Sequence, residues 1–377
     1  MKVILSGFNL DIETIKELKA FIQLVAERLD EPYFTSLDPK NKKYTLRSLQ
    51  QEAVKLWTRD NLTPETLSAA YARISRNPKP VNELREIARQ EVDLARKSNQ
   101  NIIFGLGHSS VAEHAVFNFD ILGVSRYAVE TIEHFRLASY TEKSQRYLLF
   151  EEDFIIPEEI QGTTVEKEYL ALIKEQNQRY YQLYDILRPY LFEKFKDLAP
   201  EQKNQRMLEG LAKEDARYII SMATQTQLGM TVNARTLENI IVKSLCHPLA
   251  EIREYGQRLF NEVREYTPSI LKYTKPTDYL KEKTRELKEY LSPLFSSTIR
   301  KTFPDKDVSL IDYPQRADEQ ILAAILYRLG NSNFKKSLKT IKKITLEEKR
   351  SFYKKIFLNI NVWDGVLREF EFVHLTF

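Results

Sequence analysis

The chain has 377 residues, of which 42% are hydrophobic, so it can bury a sizeable core and is too apolar for wholesale disorder. Lys and Arg number 57 against 53 Asp and Glu, and the resulting formal net charge of +4 is too near neutral to indicate a nucleic-acid or membrane partner. The single cysteine, Cys246, excludes an internal disulfide framework and a cysteine-only zinc site. No apolar run is long enough to span a membrane and no secretory pattern is visible, so we expect a cytoplasmic protein. We also expect no metal site.

The first stretch, residues 1–57, carries no motif that points to chemistry, and we predict an N-terminal capping extension there. Met1–Leu5 is a short apolar run typical of a strand. Apolar side chains then recur at spacings of three and four over Ile15–Leu29, which indicates an amphipathic helix. Residues 31–57 contain prolines and a lysine cluster, and we expect a surface connection.

Two helices are predicted next. Thr63 followed by Pro64 favours a helix start, because threonine can cap and proline suits the first helical position. This helix should run until Pro78, and a second helix should cover Val81–Lys97.

The central stretch mixes short elements. We predict a strand over Val116–Leu122 and a short helix over Arg126–Phe135. Leu137–Tyr147 is polar and is predicted to be a loop, and Leu148–Ile156 is predicted to be a further strand.

Long helical patterns dominate from Thr164 onward. One predicted helix includes Asp215–Thr224, and another begins at the capping residue Asn233 and continues past Pro248 to Val263. Strands followed by a helical block indicate an α+β fold rather than a regular βαβ alternation.

A polar stripe is the first pattern that points to chemistry. Arg235, Asn239, Lys243 and His247 are each four residues apart, so they drift by only about 40° per step around a helix. Pro248 follows directly and predicts a kink. The alternative is a solvated helix face, which is the usual role of such a stripe.

A second polar set combines arginine and lysine with neighbouring hydroxyl groups. Its cationic members are Arg136, Lys143, Arg146 and Arg217, and its hydroxyl members are Ser139, Thr141 and Ser144. Arginine forks match phosphate oxygens, so the set suits a phosphorylated ligand of dinucleotide size. Glycine-rich phosphate motifs are absent, and Cys246 beside His247 has poor geometry for an activated nucleophile.

Both sets lie in stretches that resemble the flavin-dependent thymidylate synthases. In that family a Gly-His…Glu-His segment leads into a strand and then a helix ending in Arg-His-Arg, with a serine and an arginine following after seven residues. The residues that carry the resemblance over residues 60–275 are Gly107-His108, Glu113-His114, Arg136, Ser144, Arg146, Ala216-Arg217, Asn233-Ala234-Arg235, Asn239, His247 and Glu251-Ile252.

The resemblance implies a flavin-dependent thymidylate synthase-like α+β domain over residues 58–280, with long helices and a mixed or antiparallel sheet. It implies dTMP synthesis, in which dUMP is methylated with methylenetetrahydrofolate and NADPH through bound FAD, in a homo-oligomer (dimer or tetramer) with shared sites. The residues implied to contact FAD are His108, Ser110, Glu113, Arg136, Glu142, Asn233, Arg235, Asn239 and His247. The residues implied to hold dUMP are Glu142, Ser144, Arg146 and Arg217.

Four positions depart from the family pattern. His134-Phe135-Arg136 stands where the family has Arg-His-Arg, and Thr131 stands where a glutamine is usual. Lys243 occupies the place of the arginine that polarises the uracil ring, so Lys243 is the candidate catalytic residue. The alternative function is a non-catalytic flavin- or nucleotide-binding protein that assembles with a partner. RNA binding has only the mild positive charge in its favour.

An internal similarity links the end of the chain to its middle. Residues 322–329 are similar to Leu67–Ile74, and Glu371–Phe377 is similar to Glu113–Phe119 at nearly the same offset. We therefore predict that residues 290–377 form a partial second copy of the domain. Its final strand should pair with a sheet edge.

Overall fold

The structure, a computed structural model, describes residues 1–30, 32–56, 62–144, 153–296, 308–330 and 333–377. It divides into two compact units, Met1–Leu291 and Ser292–Phe377. The strands are β1 (Lys2–Phe8), β2 (Val116–Ser125), β3 (Ala138–Glu142) and β4 (Gln225–Asn233). The helices are α1 (Ile12–Asp30), α2 (Pro32–Ser36), α3 (Pro39–Leu56), α4 (Glu65–Arg73), α5 (Val81–Gln90), α6 (Val92–Asn99), α7 (Arg126–Ile132), α8 (Thr164–Lys194), α9 (Gln202–Ala216), α10 (Ala234–Leu245), α11 (Ala250–Val263), α12 (Asp278–Ser296), α13 (Ala317–Leu329), α14 (Phe334–Lys343) and α15 (Leu346–Ile356).

The four strands form one sheet in the order β1-β2-β4-β3, and every neighbouring pair is antiparallel. The predicted α+β class with an antiparallel sheet is confirmed. Gly123 has a positive φ of 69° where the register between β2 and β4 shifts, a conformation that glycine adopts without strain. No helix in the described part of the chain is long and apolar enough to cross a membrane.

The core of the first unit lies between this sheet and the helices α10 and α11. One face of β2 and β4 is apolar because buried and exposed residues alternate along both strands. The fully or almost fully buried residues of this core, from the two strands and the two helices, include Phe117, Phe119, Ile121, Leu228, Met230, Val232, Leu237, Ile240, Tyr255 and Leu259. This packing fixes α10 against the sheet and so positions the polar stripe on the helix's other side.

The N-terminal segment is more ordered than its sequence indicated. Residues 32–56 form α2 and α3, so the predicted surface connection is wrong. Asp38 begins α3 by accepting hydrogen bonds from the backbone N–H groups of Lys40 and Asn41, at 2.9 and 3.1 Å. The predicted strand at Met1–Leu5 is present as β1. It pairs with β2, so the predicted extension 1–57 contributes an edge strand to the sheet of the first unit.

The predicted elements around the site need further corrections. The predicted loop Leu137–Tyr147 contains β3, which pairs with β4, so the polar segment is partly a strand. β4 itself was not predicted. The helix predicted over Asp215–Thr224 is wrong, because α9 ends at Ala216 and a single 3-10 turn follows.

Two predicted helices are interrupted. The helix predicted over Val81–Lys97 divides at Glu91 into α5 and α6. The helix predicted to continue past Pro248 ends at Leu245, and a new helix, α11, begins at Ala250. Proline lacks the N–H that a continuing helix needs, so Pro248 breaks the helix instead of kinking it.

The second unit repeats the element order of one part of the first. Helices α13, α14 and α15 and a 3-10 helix at Arg368–Phe372 follow the same order as α4, α5, α6 and the 3-10 helix at Ser109–His114, once the short helical turns Ile74–Arg76 and Gln100–Gly105 of the first unit are set aside. An ion pair joins the first and third helix in each set, Glu65 to Arg96 and Glu319 to Lys349, both at 2.9 Å. These correspondences support the predicted partial second copy, which stays a prediction.

The strand predicted over Glu371–Phe377 is wrong, because its first two residues belong to the 3-10 helix and only Thr376 of the rest forms a bridge. The equivalent Glu113 and His114 are also in a 3-10 helix, but there the strand β2 follows at Val116, whereas residues 373–377 form no strand. Thr376 forms an isolated bridge with Asp312 of the same unit instead of pairing with the four-stranded sheet.

Candidate functional site

The candidate site is built around the junction of β4 and α10. Asn233 ends the strand and caps the helix, since its side-chain oxygen accepts a hydrogen bond from the Thr236 N–H at 2.9 Å. Val116 of β2 pairs with Asn233, and Ala138 of β3 pairs with Val232. The starts of β2, β3 and α10 therefore meet at one end of the sheet.

Most residues implied to bind FAD lie around this end. Arg235 in the first turn of α10 forms a 2.6 Å ion pair with Glu113, and both side chains are about half exposed. The His108 ring nitrogen Nε2 lies 3.4 Å from the Arg76 guanidinium. His108 directly precedes the 3-10 helix Ser109–His114, which contains the exposed Ser110 and Glu113.

Arg136 is an exposed cation two residues before β3. In the part of the chain that the structure describes, it forms no ion pair. An unpaired guanidinium at the surface is available to an anionic ligand without first losing a protein partner.

The polar stripe is confirmed along α10 and ends where the helix ends. Arg235, Asn239 and Lys243 are exposed, while Leu237, Ile240 and Ile241 on the other side are fully buried. His247, the predicted fourth member, lies in the turn after the helix. The Lys243 ammonium sits 5.7 Å from the centre of the Phe135 ring, within the range of a cation–π contact.

A pocket of about 460 Å³ opens at the C-terminal end of the stripe. Its walls combine aromatic, thioether and polar side chains from α7, the turn before β4 and the end of α10. The lining residues are Tyr127, Glu130, Thr131, His134, Phe135, Met222, Lys243, Ser244 and His247. The stripe thus delivers the Lys243 ammonium and the His247 imidazole to a pocket that also contains the Glu130 carboxyl group and the His134 imidazole.

The His247 imidazole has a defined charge and orientation. Burial, together with the nearby Arg253 guanidinium, lowers the pKa of His247 below its usual value of 6.5, so the ring is neutral at pH 7. Its Nδ1 accepts a hydrogen bond from the Leu249 N–H at 3.2 Å, which leaves the proton on Nε2. His247 can therefore donate one hydrogen bond from Nε2.

Glu142 lies at the other end of β3. It forms an ion pair with Arg126, and the Thr226 hydroxyl donates to it at 2.8 Å. Glu142 pairs with Leu228, four residues from the Ala138 pairing, which separates it by about 14 Å from the α10 end of the sheet.

Glu142 also affects the pKa of a neighbouring carboxyl group, that of Glu133. Burial, followed by repulsion from Glu142, raises the pKa of Glu133. Arg126 and Thr226 were missed from the sequence, because their role depends on a strand pairing that no local pattern reveals.

The remaining residues implied to hold dUMP are less closely grouped. Arg217 begins the 3-10 turn after α9, where it lies 3.9 Å from Glu214 and 5.8 Å from the centre of the Tyr218 ring. Neither contact involves the Glu142 cluster. Ser144 follows β3 and is half-buried, and Arg146 lies outside the described residues.

The donors along α10 and just before β3 fit an anionic dinucleotide. Arg136, Arg235, Asn239 and Lys243 present guanidinium, amide and ammonium groups on the surface, which suit phosphate and ribose oxygens. The pocket beside them has ring-bearing walls and polar edges, as a planar heteroaromatic ring requires. The residues present are therefore compatible with a flavin nucleotide.

Comparison with known proteins assigns the family. A family model described as thymidylate synthase complementing protein matches residues 58–269. The flavin-dependent thymidylate synthase of Clostridium tetani is 31% identical over 218 residues, covering 57% of this chain and 83% of the relative. That of Pyrococcus abyssi is 32% identical over 184 residues, covering 46% of this chain and 65% of the relative. The chain belongs to the flavin-dependent thymidylate synthase family.

A solved structure also matches. The crystal structure of the flavin-dependent thymidylate synthase from Helicobacter pylori, complexed with FAD and dUMP, matches 72% of this chain and 100% of its own, at 16% identity and a TM-score of 0.37.

Proposed function

We propose that the protein is an FAD-dependent thymidylate synthase that methylates dUMP to dTMP with methylenetetrahydrofolate and NADPH. The observation that carries the proposal is the polar face of α10, which runs from the Glu113–Arg235 pair into the pocket lined by Lys243 and His247. The reaction itself is inferred from membership of the family.

The residues assigned to FAD differ in the part of the cofactor that they would bind. Arg136, Arg235 and Asn239 hold the anionic and ribose parts, with Asn233, Ser110 and His108 beside them. Glu113 positions the Arg235 guanidinium through their 2.6 Å ion pair. Bound FAD supplies the redox chemistry that passes hydride from NADPH, and the protein needs no nucleophile of its own.

The pocket residues act on the ring system. His247 is neutral and donates from Nε2, while Lys243 places a positive charge where a pyrimidine carbonyl becomes more negative. The residues that hold dUMP are Glu142, Ser144, Arg146 and Arg217. Lysine gives a point charge where the family has an arginine fork, so we expect slow turnover.

Reconstitution with FAD tests the cofactor. Protein mixed with FAD and then desalted should keep the visible absorbance of bound oxidised flavin. A folded protein that stays colourless would contradict both the cofactor and the enzyme.

Tritium release from dUMP labelled at the reacting carbon tests the reaction. In the presence of methylenetetrahydrofolate and NADPH, Lys243→Ala should lower release by about 10²–10³-fold, the cost of one transition-state donor, and Lys243→Arg should raise it above wild type. Lys174→Ala, at an exposed position on α8, is the matched control and should behave as wild type. Equal release from wild type and Lys243→Ala would remove Lys243 from catalysis.

The alternative is a non-catalytic flavin- or nucleotide-binding protein, and one contact favours it. The Lys243 ammonium is engaged by the Phe135 ring at 5.7 Å, at a position where the family has histidine. Retained flavin without tritium release, even in Lys243→Arg, would select this alternative.

A homo-oligomer with shared sites is part of the proposal. Support for shared sites comes from membership of the family. Light scattering after size-exclusion chromatography should give a mass of two or four chains, and a monomer would contradict it.

A further inference from the structure

The small net charge of the chain hides an uneven distribution. Residues 308–377 contain twelve Lys and Arg against eight Asp and Glu, an excess equal to that of the whole protein. Five of these lysines lie on α14, and no acidic residue occurs between Asn333 and Thr345. Positive charge is therefore concentrated on one helix.

The lysines cover the outer face of α14. All five, Lys335, Lys336, Lys339, Lys342 and Lys343, are exposed, and within the described residues none of them forms an ion pair. The opposite face packs on α13 through Ile341, which is 2% exposed, and Ser337, which is 1% exposed. The helix is thus held by its apolar side and presents its ammonium groups to solvent.

The corresponding helix of the first unit shows that this charge is not required by the packing. Helices α5 and α14 each have ten residues and occupy the same place in the repeated order. Aligned end to end, Glu83 and Glu86 stand where Lys336 and Lys339 stand. Arg85 and Arg89 of α5 bind the buried Asp11, at 3.0 and 2.6 Å. Helices α5 and α14 therefore occupy the same place in the repeated order but differ in the charge of their exposed surfaces.

The spacing of the lysines matches an extended run of phosphates. Lys335, Lys339 and Lys343 are four residues apart, which places them about 6 Å apart along the helix axis and spans about 12 Å in all. A single nucleotide needs one or two cations, whereas a polynucleotide backbone offers a phosphate for each.

Aromatic side chains stand at the start of the lysine face. The Tyr327 ring packs edge-on against Phe334, with centroids 6.4 Å apart, and Phe372 stacks on the same Phe334 at 6.1 Å. Tyr327 and Phe372 remain 50% and 54% exposed. Exposed rings beside a basic groove or face are what proteins use to stack unpaired bases.

We propose that the α14 face binds single-stranded nucleic acid, with its lysines on the phosphates and Tyr327 or Phe372 against the bases. A membrane surface is a poorer match, because the apolar side of α14 is already buried on α13 and has nothing left to insert. The proposed binding is independent of base sequence and separate from the residues assigned to FAD and dUMP.

Fluorescence anisotropy of the full chain with a fluorescein-labelled 20-residue oligothymidylate tests the proposal. With five phosphate contacts, the binding constant should fall about 100-fold between 50 and 200 mM salt. The triple variant Lys335→Gln, Lys339→Gln, Lys343→Gln should bind more weakly and fall only about sevenfold over the same range. Glutamine keeps the helix propensity of lysine, and circular dichroism checks that the fold is retained.

The matched control removes the same charge elsewhere. Lys174→Gln, Lys196→Gln, Lys203→Gln changes three exposed lysines of the first unit and should leave both affinity and salt dependence as in wild type. Tyr327→Ala should weaken binding by about fivefold or more with an unchanged salt dependence, as expected for loss of a stacking contact.

Three outcomes would overturn the proposal. They are no binding by wild type, equal losses in the α14 and control triple variants, and lysine-dependent binding to vesicles of phosphatidylcholine and phosphatidylserine that the oligonucleotide does not displace. The last outcome would identify α14 as a membrane-binding surface. Unchanged binding by both Tyr327→Ala and Phe372→Ala would contradict the base-stacking contact.

Discussion

Lys243 and His247 face one pocket with different charges, and this difference sets what the pocket can bind. The imidazole is neutral because burial disfavours its protonation, and the neighbouring Arg253 adds repulsion. Lys243 then supplies the positive charge, and His247 supplies an N–H donor. A ring with one electron-rich oxygen and one further acceptor is the ligand that this pair would polarise.

The lowered pKa of His247 predicts a pH dependence of stability. Between the folded value and 6.5 the unfolded chain binds more protons than the folded chain, so stability is complete above pH 6.5 and falls as the pH drops toward the folded value. His247→Gln removes this contribution, so wild type should lose more stability than the variant between pH 7.5 and 5. Urea unfolding across this range measures the difference.

The control for this prediction is His374→Gln, which changes an exposed histidine of the second unit. Its stability profile should follow that of wild type. Parallel profiles for wild type and His247→Gln would show that burial of the ring has no energetic consequence.

Arg217 carries a separate prediction at the residue scale. If its guanidinium binds the dUMP phosphate, Arg217→Ala should cost about 1.5–3 kcal/mol of dUMP affinity, the range for a hydrogen bond to a charged group. Flavin content should stay the same. Calorimetric titration with dUMP measures this, with Arg206→Ala on α9 as the control. Unchanged dUMP affinity with lower stability would assign Arg217 to its ion pair with Glu214.

At the scale of elements, the site depends on where α10 begins. The Asn233 cap fixes the first turn, and the first turn carries Arg235 to its ion pair with Glu113. Asn239 and Lys243 follow from that start, because each is one helical turn further along α10.

The cap can be tested separately from ligand binding. Asn233→Ala should cost about 1 kcal/mol of stability, because the Thr236 N–H loses its acceptor, whereas Asn233→Asp keeps an acceptor and should cost little. Thermal unfolding of both variants without cofactor measures the difference. Equal stabilities of the alanine and aspartate variants would show that the cap is not what holds the start of α10.

Some elements could be predicted because their causes are local. The three- and four-residue spacing over Ile15–Leu29 is a property of one helix, and Asn233 signals a cap by its chemistry. β4 also had a local signal, since Thr226, Leu228, Met230 and Val232 are buried in strict alternation. The apolar members of that alternation, residues 228, 230 and 232, are visible in the sequence.

Other features have causes outside the segment concerned. β3 is short and polar, and it is a strand because β4 offers it a free edge, so its sequence alone predicts a loop. The Arg126–Glu142 pair joins the start of α7 to the end of β3, and Arg126 does not stand out until the two residues are paired in space. Family resemblance located Glu113, Arg235 and Glu142 but could not supply the partners of Glu142, Arg126 and Thr226.

At the scale of the whole molecule, each compact unit has its own buried core. The first is the cluster between the sheet and α10 and α11, and the second is formed by residues of α13 and α14. Every described residue assigned to FAD or dUMP lies in the first unit, and the lysine face lies in the second. A substitution in either core should therefore affect one activity selectively.

Matched core substitutions test this division. Ile341→Ala in α14 and Ile240→Ala in α10 each remove the same atoms from a site at most 2% exposed, at a cost of about 2–5 kcal/mol to the unit concerned. Ile240→Ala should weaken FAD binding, because α10 carries the stripe. Ile341→Ala should leave FAD affinity unchanged and weaken oligonucleotide binding. Hydrogen exchange should show lost protection in α13 and α14 for Ile341→Ala, and in β4 and α10 for Ile240→Ala. If Ile341→Ala lowers FAD affinity as much as Ile240→Ala does, the flavin site depends on the second unit and the assignment of separate activities is wrong.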